Sequence, residues 1–539
     1  MPLSVPARLL LSERYLLPGE PSGHLFCRVA EALAHDSGRR DFRYVMEELL
    51  FLPNSPTLMN AGVPNGQLSA CFVLPIRDSI DSIFTSLAHM ARIHQSGGGT
   101  GFSFSRIRPR GDLADETGGI ASGPVSFIRV FDAATNAVRQ GGKRRGANMG
   151  VLASSHPDIL EFIGCKKEGG LENFNLSVGF DAEFFRSLAG GRHYALKNPR
   201  NGEITEELEP KDLWNAVAAA SWASGDPGIL FLDEINSKNT LPGYDTFEAT
   251  NPCGEQPLFP YESCNLGSVN LARCLSKGDI DTDLLRYVVR TGVRLLDAVI
   301  DVNVFPLDAI RDRTRETRKI GLGIMGLADL FISLGIPYES PEALRLAERL
   351  MAFVQQEARA MSAELGEWKG SFPAVSQSIF SGEMRNATVT TVAPTGSLHI
   401  IAGTSSGIEP LFALAYRRTI GGSPVEFFHP AVCEALQPHA ASLPADLEGE
   451  IRRTGTIQHL SLPDDVKDLF RTAAEISPAH HVRMQAAIQR HVDNAVSKTI
   501  NLPESASVEL ACKGITVYRN NSKDSQVLRQ GCDICNINR

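Results

Sequence analysis

No run of eighteen or more apolar residues occurs in this sequence, and its first fourteen residues lack a basic segment leading into an apolar stretch and a small-residue cleavage site. The first lack excludes a hydrophobic membrane-spanning helix and the second a secretory leader, so the expected compartment is the cytoplasm, with no membrane partner. An excess of positive charge is missing too. Lys and Arg number 53 against 62 Asp and Glu, a net charge of -9, which argues against a protein built to wrap a nucleic-acid backbone but leaves room for local anion sites. Basic residues do gather at Lys143, Arg144 and Arg145 and again over residues 311–319, and a solvated face accounts for either cluster as well as a binding role does. Cysteines with metal-type spacing are scarce. The ten cysteines are spread through 539 residues, so the disulfide framework that staples short secreted chains is not expected. Cys532 and Cys535 form the one closely spaced pair, and no second pair supplies the two further ligands of a zinc site, so no resident metal is expected.

What is there is the composition of an ordinary globular enzyme, 43% hydrophobic and 21% charged, long enough for about two to four domains or one large domain with appendages. Apolar residues recur at helical spacing over residues 9–52, as in Leu25, Val29, Ala30 and Leu33, then Val45, Leu49 and Leu50, which predicts a small helical lead-in. After Pro53, short apolar runs punctuated by Gly, Pro, Asn and Ser alternate with helical segments such as 80–94 and 284–302, the pattern of an α/β architecture. A further helical pattern covers 462–501, a strand-like run covers 514–518, and the polar residues from 520 onward are expected to be mobile. There is no internal repeat and no low-complexity tract.

Three glycine-rich segments invite a ligand reading. Gly321, Gly323 and Gly326 have the spacing of a dinucleotide fingerprint, but the basic, helix-prone 311–319 precedes them instead of an apolar strand, so they are read as glycines that let helices pack closely. The run from Gly97 to Gly101 lacks the ending of a phosphate-binding P-loop; a ligand approaching the backbone and a tight connection fit it equally. Pro394, Thr395, Gly396 and Ser397 follow a strand-like 387–392 and precede an apolar run. If that run opens a helix, free N–H groups and the helix dipole make an anion site, while a plain N-cap explains the same residues.

The reactive candidates lie in Asn251-Pro252-Cys253-Gly254-Glu255. Proline and glycine disfavour a helix, so the segment is expected to be extended, with the amide of Asn251, the thiol of Cys253 and the carboxylate of Glu255 on one face. A thiol that exchanges hydrogen atoms, a carboxylate that takes a proton and an amide that holds a hydroxyl suit hydrogen abstraction from a sugar carbon. Spacing alone favours the alternative of a Gly/Pro loop with an inert buried cysteine.

The run from Asn251 to Leu258, continuing through Tyr261 to Ser268, resembles the radical-cysteine loop of ribonucleotide reductases, specifically their adenosylcobalamin-dependent class II, in the diphosphate-reducing form. Segments 54–60, 68–75, 97–111, 140–150, 321–330, 393–410 and 514–519 agree in order, so the resemblance runs from about Pro53 to Tyr518. It implies a ten-stranded α/β barrel with a central finger loop over residues 53–519, a helical region over 1–52 and a flexible redox-active tail over 520–539. It implies that Cys253 becomes the thiyl radical that takes the 3′-hydrogen, that Glu255 is base to the 3′-hydroxyl and that Asn251 holds the ribose hydroxyls. Cys71 and Cys264 match the dithiol that is oxidised as the 2′-hydroxyl leaves as water, and Cys532 and Cys535 match the shuttle recharged by thioredoxin or glutaredoxin. Ser55, Thr57, Ala70, Gly99, Pro252, Gly254 and the turn of Pro394, Thr395, Gly396, Ser397 and Leu398 match substrate-binding positions, mostly phosphate contacts through N–H and hydroxyl groups. Asp78, beginning the helix after Cys71, and Arg108 match binders of a deoxynucleoside triphosphate effector. Arg139, Gln140, Lys143 and Arg145 lie in the loop that relays effector identity, commonly across a homodimer interface.

Class I members deliver the radical from a metal-bearing subunit through two adjacent tyrosines near the C-terminus, where this chain has Tyr518 followed by Arg519. The single tyrosine favours adenosylcobalamin as radical source. A class I-like large subunit and an idle nucleotide-binding regulator are the competing readings. The lead-in before Asn54 is shorter than a usual nucleotide-binding domain, so specificity control is expected but not overall control by ATP and dATP.

Overall fold

The computed structural model describes residues 3–34, 37–114, 119–138, 146–167, 169–502, 514–519 and 528–530. The lead-in is helical through Glu47, as its periodicity predicts, but its end is a short strand, Phe51–Pro53. Helices Val5–Arg14, Leu25–Leu33 and Ser37–Glu47 turn Leu10, Leu11, Val29, Leu33, Val45 and Met46 into one core with the helices Thr282–Val302 and Pro341–Lys369. Asp281 caps the first of these long helices by accepting from the Leu284 N–H, and Ser340 caps the second through the Ala343 N–H, each filling a bond that a helix start leaves open.

Strands β1 (Cys71–Val73), β2 (Gly99–Ser103), β3 (Asn148–Ala153), β4 (Phe174–Phe180) and β5 (Gly228–Phe231) pair in that order, all parallel. A second parallel set is formed by β6 (Ser263–Asn270), β7 (Ile320–Met325), the 390–392 segment, β8 (Thr499–Leu502) and β9 (Gly514–Arg519), joined through the bridges Leu322 to Thr390 and Val392 to Val496. The two sets meet at two antiparallel seams, β1 with β6 and β5 with β9, so the circuit closes. Two sets of five make the ten-stranded barrel that the resemblance implied. β3, β6 and β7 are buried along almost their whole length; β7 is apolar throughout, as strands covered on both faces usually are, whereas β6 buries the polar Ser263, Asn265, Ser268 and Asn270.

Between β5 and β6 the chain enters the barrel as a finger. Thr250 bridges Pro257, the Asn251 N–H donates to the Gln256 carbonyl (3.0 Å) and the Gly254 N–H to the Asn251 carbonyl (3.1 Å). This corrects the expected extended segment. Pro252 and Gly254 do disfavour a helix, but Gly254 adopts φ +81°, and the chain reverses at its tip instead of running straight.

Two glycine readings change as well. Gly97 and Gly98 close the helix Ile80–Gln95 by donating to the His94 and Ile93 carbonyls, whereas Gly99 and Gly101 belong to β2 and make room for the finger. A Cβ on Gly99 would stand 2.9 Å from Pro252 Cγ, and one on Gly101 would overlap the Thr250 carbonyl oxygen. The closely approaching group is therefore the protein's own loop. Gly321 and Gly323 lie on β7, where a Cβ would strike Gln256 and the Thr391 carbonyl, so they let the finger and a neighbouring strand approach, not helices.

The 462–501 pattern resolves into helices Asp464–Leu469 and Pro478–Gln489 followed by β8. The expected mobile tail contains a short strand, Leu528–Gln530, paired antiparallel with Tyr416 to Arg418. Such pairing uses backbone groups and needs no apolar pattern, so periodicity does not reveal it. The tail cysteines Cys532 and Cys535 lie outside the described residues. No helix of the described residues is long and apolar enough to cross a membrane.

Candidate active site

The seam between β1 and β6 sets the first element of the site. Cys71 stands directly opposite Cys264 in the antiparallel register. Such partners have Cα atoms about 4.5–5.5 Å apart, inside the roughly 4.4–6.8 Å that a disulfide spans. Both thiols are reduced and buried. Burial pushes the Cys264 thiol well above the usual thiol range, opposed by the neighbouring Lys319 ammonium. Its Sγ lies 3.4 Å from the Asn265 carbonyl and 3.6 Å from the Lys319 carbonyl.

The finger meets this pair from inside the barrel. Asn251, buried to 2% exposure, donates from Nδ2 to Cys71 Sγ (3.0 Å) and accepts at Oδ1 from the Gln256 N–H (3.0 Å). Asn175 on β4 donates to the Pro252 carbonyl (2.8 Å). The Glu255 carbonyl accepts from Thr391 Oγ1 (2.8 Å) and from the Ala495 N–H (2.9 Å), so both halves of the barrel hold the loop. Glu255 itself is buried, whereas Cys253 at the tip is exposed. A Cβ built on Gly254 has no atom within 4 Å, so open space lies beside the tip thiol and a bulky group can approach it.

The expected substrate residues divide by what their polar groups already do. The Ala70 N–H donates to the Cys264 carbonyl (3.1 Å) and the Gly99 N–H to the Ala70 carbonyl (2.9 Å). Those two donors serve the sheet, so the expected phosphate contact through them is not what the geometry offers. Thr57 Oγ1, fully buried, donates to the Leu68 carbonyl (3.0 Å) or Asn54 Oδ1 (3.1 Å), and the Ser55 hydroxyl meets the Tyr15 hydroxyl at 2.8 Å.

The turn before helix Leu398–Ala402 differs. Thr395 sits at φ +51° with Oγ1 accepting from the Gly407 N–H (2.8 Å), and the Ser406 hydroxyl donates to the Pro394 carbonyl. The Gly396 carbonyl accepts from Arg418 Nη1 (2.9 Å). Ser397 makes no side-chain capping bond, so the plain N-cap explanation does not describe it. His399 in the same turn is pushed down to about 4 by burial and is neutral at pH 7.

Asp78 and Arg108 are brought together. Arg108 Nε donates to Asp78 Oδ2 (2.8 Å) and its N–H to Oδ1 (3.1 Å). The helix starts at Ile80 with Ser79 as its cap, so Asp78 precedes the cap instead of opening the helix. Arg139, Gln140, Lys143 and Arg145 lie outside the described residues.

Sequence reading missed Asn175, Thr391, Gly101 and the pair Lys319 and Glu262. Thr391 carried a signal as part of the strand-like 387–392, and Gly101 as part of the glycine run 97–101. Lys319 had been counted with a basic cluster, yet it is fully buried while Arg315 is exposed.

Comparison with known proteins decides the family. The ribonucleotide reductase barrel-domain model matches residues 69–384 and 374–517, and the ribonucleotide reductase all-alpha-domain model matches residues 1–66. The chain belongs to the ribonucleotide reductase family. Among its reductase relatives is the vitamin B12-dependent ribonucleoside-diphosphate reductase of Mycobacterium tuberculosis (strain CDC 1551 / Oshkosh), 49% identical over 98% of this chain and 80% of that one. The vitamin B12-dependent ribonucleoside-diphosphate reductase of Thermoplasma acidophilum is 50% identical over 91% of this chain and 66% of its own length. The fold is also that of the Actinobacillus ureae class Id ribonucleotide reductase alpha subunit, with a TM-score of 0.80 and 24% identity over 96% of this chain and 97% of that one.

Proposed function

We propose that this chain reduces ribonucleoside diphosphates to 2′-deoxyribonucleotides by thiyl-radical chemistry, with adenosylcobalamin as its radical source. The observation that carries the reading is the exposed Cys253 on a loop whose Asn251 amide bonds Cys71, itself opposite Cys264. Half-identical relatives named for vitamin B12 dependence support the choice of cofactor.

Bound adenosylcobalamin supplies the one-electron oxidation of the Cys253 thiol. The Cys253 thiyl then removes the 3′-hydrogen atom, and the Glu255 carboxylate takes the 3′-hydroxyl proton, its position fixed through its own carbonyl by Thr391 and Ala495. Asn251 orients the ribose hydroxyls. The 2′-oxygen leaves as water, with Cys71 and Cys264 giving two electrons and two protons, one to the leaving oxygen and one to form the new C2′–H bond, and becoming a disulfide; Glu255 gives its proton back to the 3′-oxygen, and Cys253 returns a hydrogen atom to C3′. The turn of Pro394, Thr395, Gly396, Ser397 and Leu398 holds the diphosphate, with Ser55, Ala70, Pro252 and Gly254 lining the same approach and Gly99 serving by its small size beside the finger.

Residues 1–52, 53–519 and 520–539 act as helical region, catalytic barrel and redox tail. Cys532 and Cys535 carry electrons from thioredoxin or glutaredoxin in the cytoplasm. Asp78, Arg108, Arg139, Gln140, Lys143 and Arg145 answer to a deoxynucleoside triphosphate effector. A homodimer is supported by the apolar side chains that two neighbouring helices leave exposed, Ile80 and Phe84 on Ile80–Gln95 and Val130 on Pro124–Ala137.

The test is product formation by the purified chain under reducing conditions, with and without adenosylcobalamin. Deoxynucleotide is expected only with the cofactor. Activity indifferent to it contradicts the proposed radical source, and nucleotide binding without turnover in either case favours a regulator.

A further inference from the structure

Inside the barrel, one buried charge takes no part in the chemistry above. Lys319 and Glu262 are both fully buried and paired at 2.7 Å. Lys319 Nζ also sits 3.7 Å from the centre of the Phe259 ring, and Glu262 accepts from the Phe259 N–H (2.7 Å) and the Thr317 hydroxyl (2.7 Å). A buried pair of this kind is weak evidence of stabilisation, because desolvation offsets much of its attraction.

Its place in the register is more informative. Asn265 pairs with Ile320, which sets Lys319 beside Cys264, while Cys264 pairs with Cys71 and Cys71 with Gly99. Cross-strand neighbours at one level share a face. At Gly99 that face is the interior, since its missing Cβ would meet Pro252. Gly99, Cys71, Cys264 and Lys319 therefore form one inward row, and the dithiol is asymmetric. Cys71 is flanked by a glycine and the Asn251 amide, whereas at Cys264, where burial and the Glu262 and Glu255 carboxylates disfavour the thiolate, the Lys319 ammonium is the group that opposes them.

Resting on the dithiol assignment above, we infer that Lys319 is a positioning residue that fixes the polarity of thiol–disulfide exchange: an incoming thiolate bonds to Cys71, and Cys264 is the sulfur that leaves. In the first step the new bond joins the reductant sulfur to Cys71 Sγ, the Cys71–Cys264 bond breaks, and its electron pair goes to Cys264 Sγ as a thiolate beside the ammonium. A second thiol of the dithiol reductant then attacks its own sulfur in the mixed disulfide and releases Cys71 as a thiolate. The reductant becomes a disulfide, and both protein thiolates take up protons. Exchange is faster when the departing sulfur is the better-stabilised thiolate, so a positive charge beside one sulfur selects which bond forms.

The experiment oxidises the full-length Cys532→Ser, Cys535→Ser protein by one turnover, exposes it briefly to 2-mercaptoethanol, which has no second thiol, quenches with acid and maps the adduct by peptide mass spectrometry. The adduct is expected on Cys71 by about tenfold or more over Cys264. In a Lys319→Met, Glu262→Gln double variant, which leaves no lone buried charge, the preference is expected to fall to about threefold or less, while Lys319→Arg preserves it. An adduct mainly on Cys264, or a preference untouched in a folded double variant, overturns the role of Lys319. If turnover leaves no Cys71–Cys264 disulfide at all, the dithiol assignment fails instead.

Discussion

The tip of the finger and the seam beneath it place the same functional group in opposite settings. Cys253 is exposed on a glycine turn beside open space, whereas Cys71 and Cys264 are buried and locked opposite each other in a ladder. A thiol that must meet both a bulky radical source and a substrate needs access. A thiol pair that must form and break a bond needs a fixed separation more than it needs solvent. Geometry thus divides three cysteines into an initiator and an electron store before any difference in intrinsic reactivity is invoked.

The largest break in that division is Cys253→Ala. Turnover should fall by about 10⁴-fold or more, the scale seen when an essential reacting group is removed. Because the side chain is exposed, stability should shift by no more than about 0.5 kcal/mol. Product assays and thermal melting read the two effects, and the opposite pattern, lost stability with retained turnover, would make Cys253 structural.

Next comes Gly101→Ala, which attacks the relation between tip and seam without touching a sulfur. The added methyl overlaps the Thr250 carbonyl, part of the backbone at the base of the finger, so the loop must move. A displacement of about 1 Å is enough for roughly a hundredfold loss of turnover, with a destabilisation of about 1–3 kcal/mol from overpacking. Unchanged kinetics would mean that the loop's depth does not matter.

The smallest effect sharpens the comparison. Thr391→Val removes one of the two bonds to the Glu255 carbonyl and keeps the shape, so stability should drop by about 1 kcal/mol. Turnover should fall by about tenfold or less with KM nearly constant, because one bond of that size holds the proton acceptor in place. A change confined to KM would place Thr391 in substrate binding instead.

The chemistry of this site was more legible than its support. Cys253, Glu255 and Asn251 lie in five consecutive residues, and the agreement in order of distant segments identified the family and the barrel. Proline and glycine correctly argued against a helix there, yet a reversal and an extended strand share those residues, and bonds within the loop, such as Asn251 to Gln256 and Gly254 to Asn251, separate them. Gly99 and Gly101 fitted a ligand approach and a tight connection equally, and Gly321 and Gly323 read as helix contacts, because a missing Cβ says that something comes close, not what comes close. Lys319 read as part of a basic cluster, solvated or binding, because the partner that lets it be buried, Glu262, is distant in sequence and adjacent only through the register of β6 and β7.

The division between initiator and electron store is tested most directly by counting. A Cys532→Ser, Cys535→Ser variant, reduced and then freed of reductant, is mixed with ribonucleoside diphosphate and adenosylcobalamin, and deoxynucleotide and disulfide are measured in the same quenched sample. About one product per chain, matched by one Cys71–Cys264 disulfide with Cys253 still a thiol, is the predicted result. Product without that disulfide, or a disulfide that includes Cys253, would contradict it.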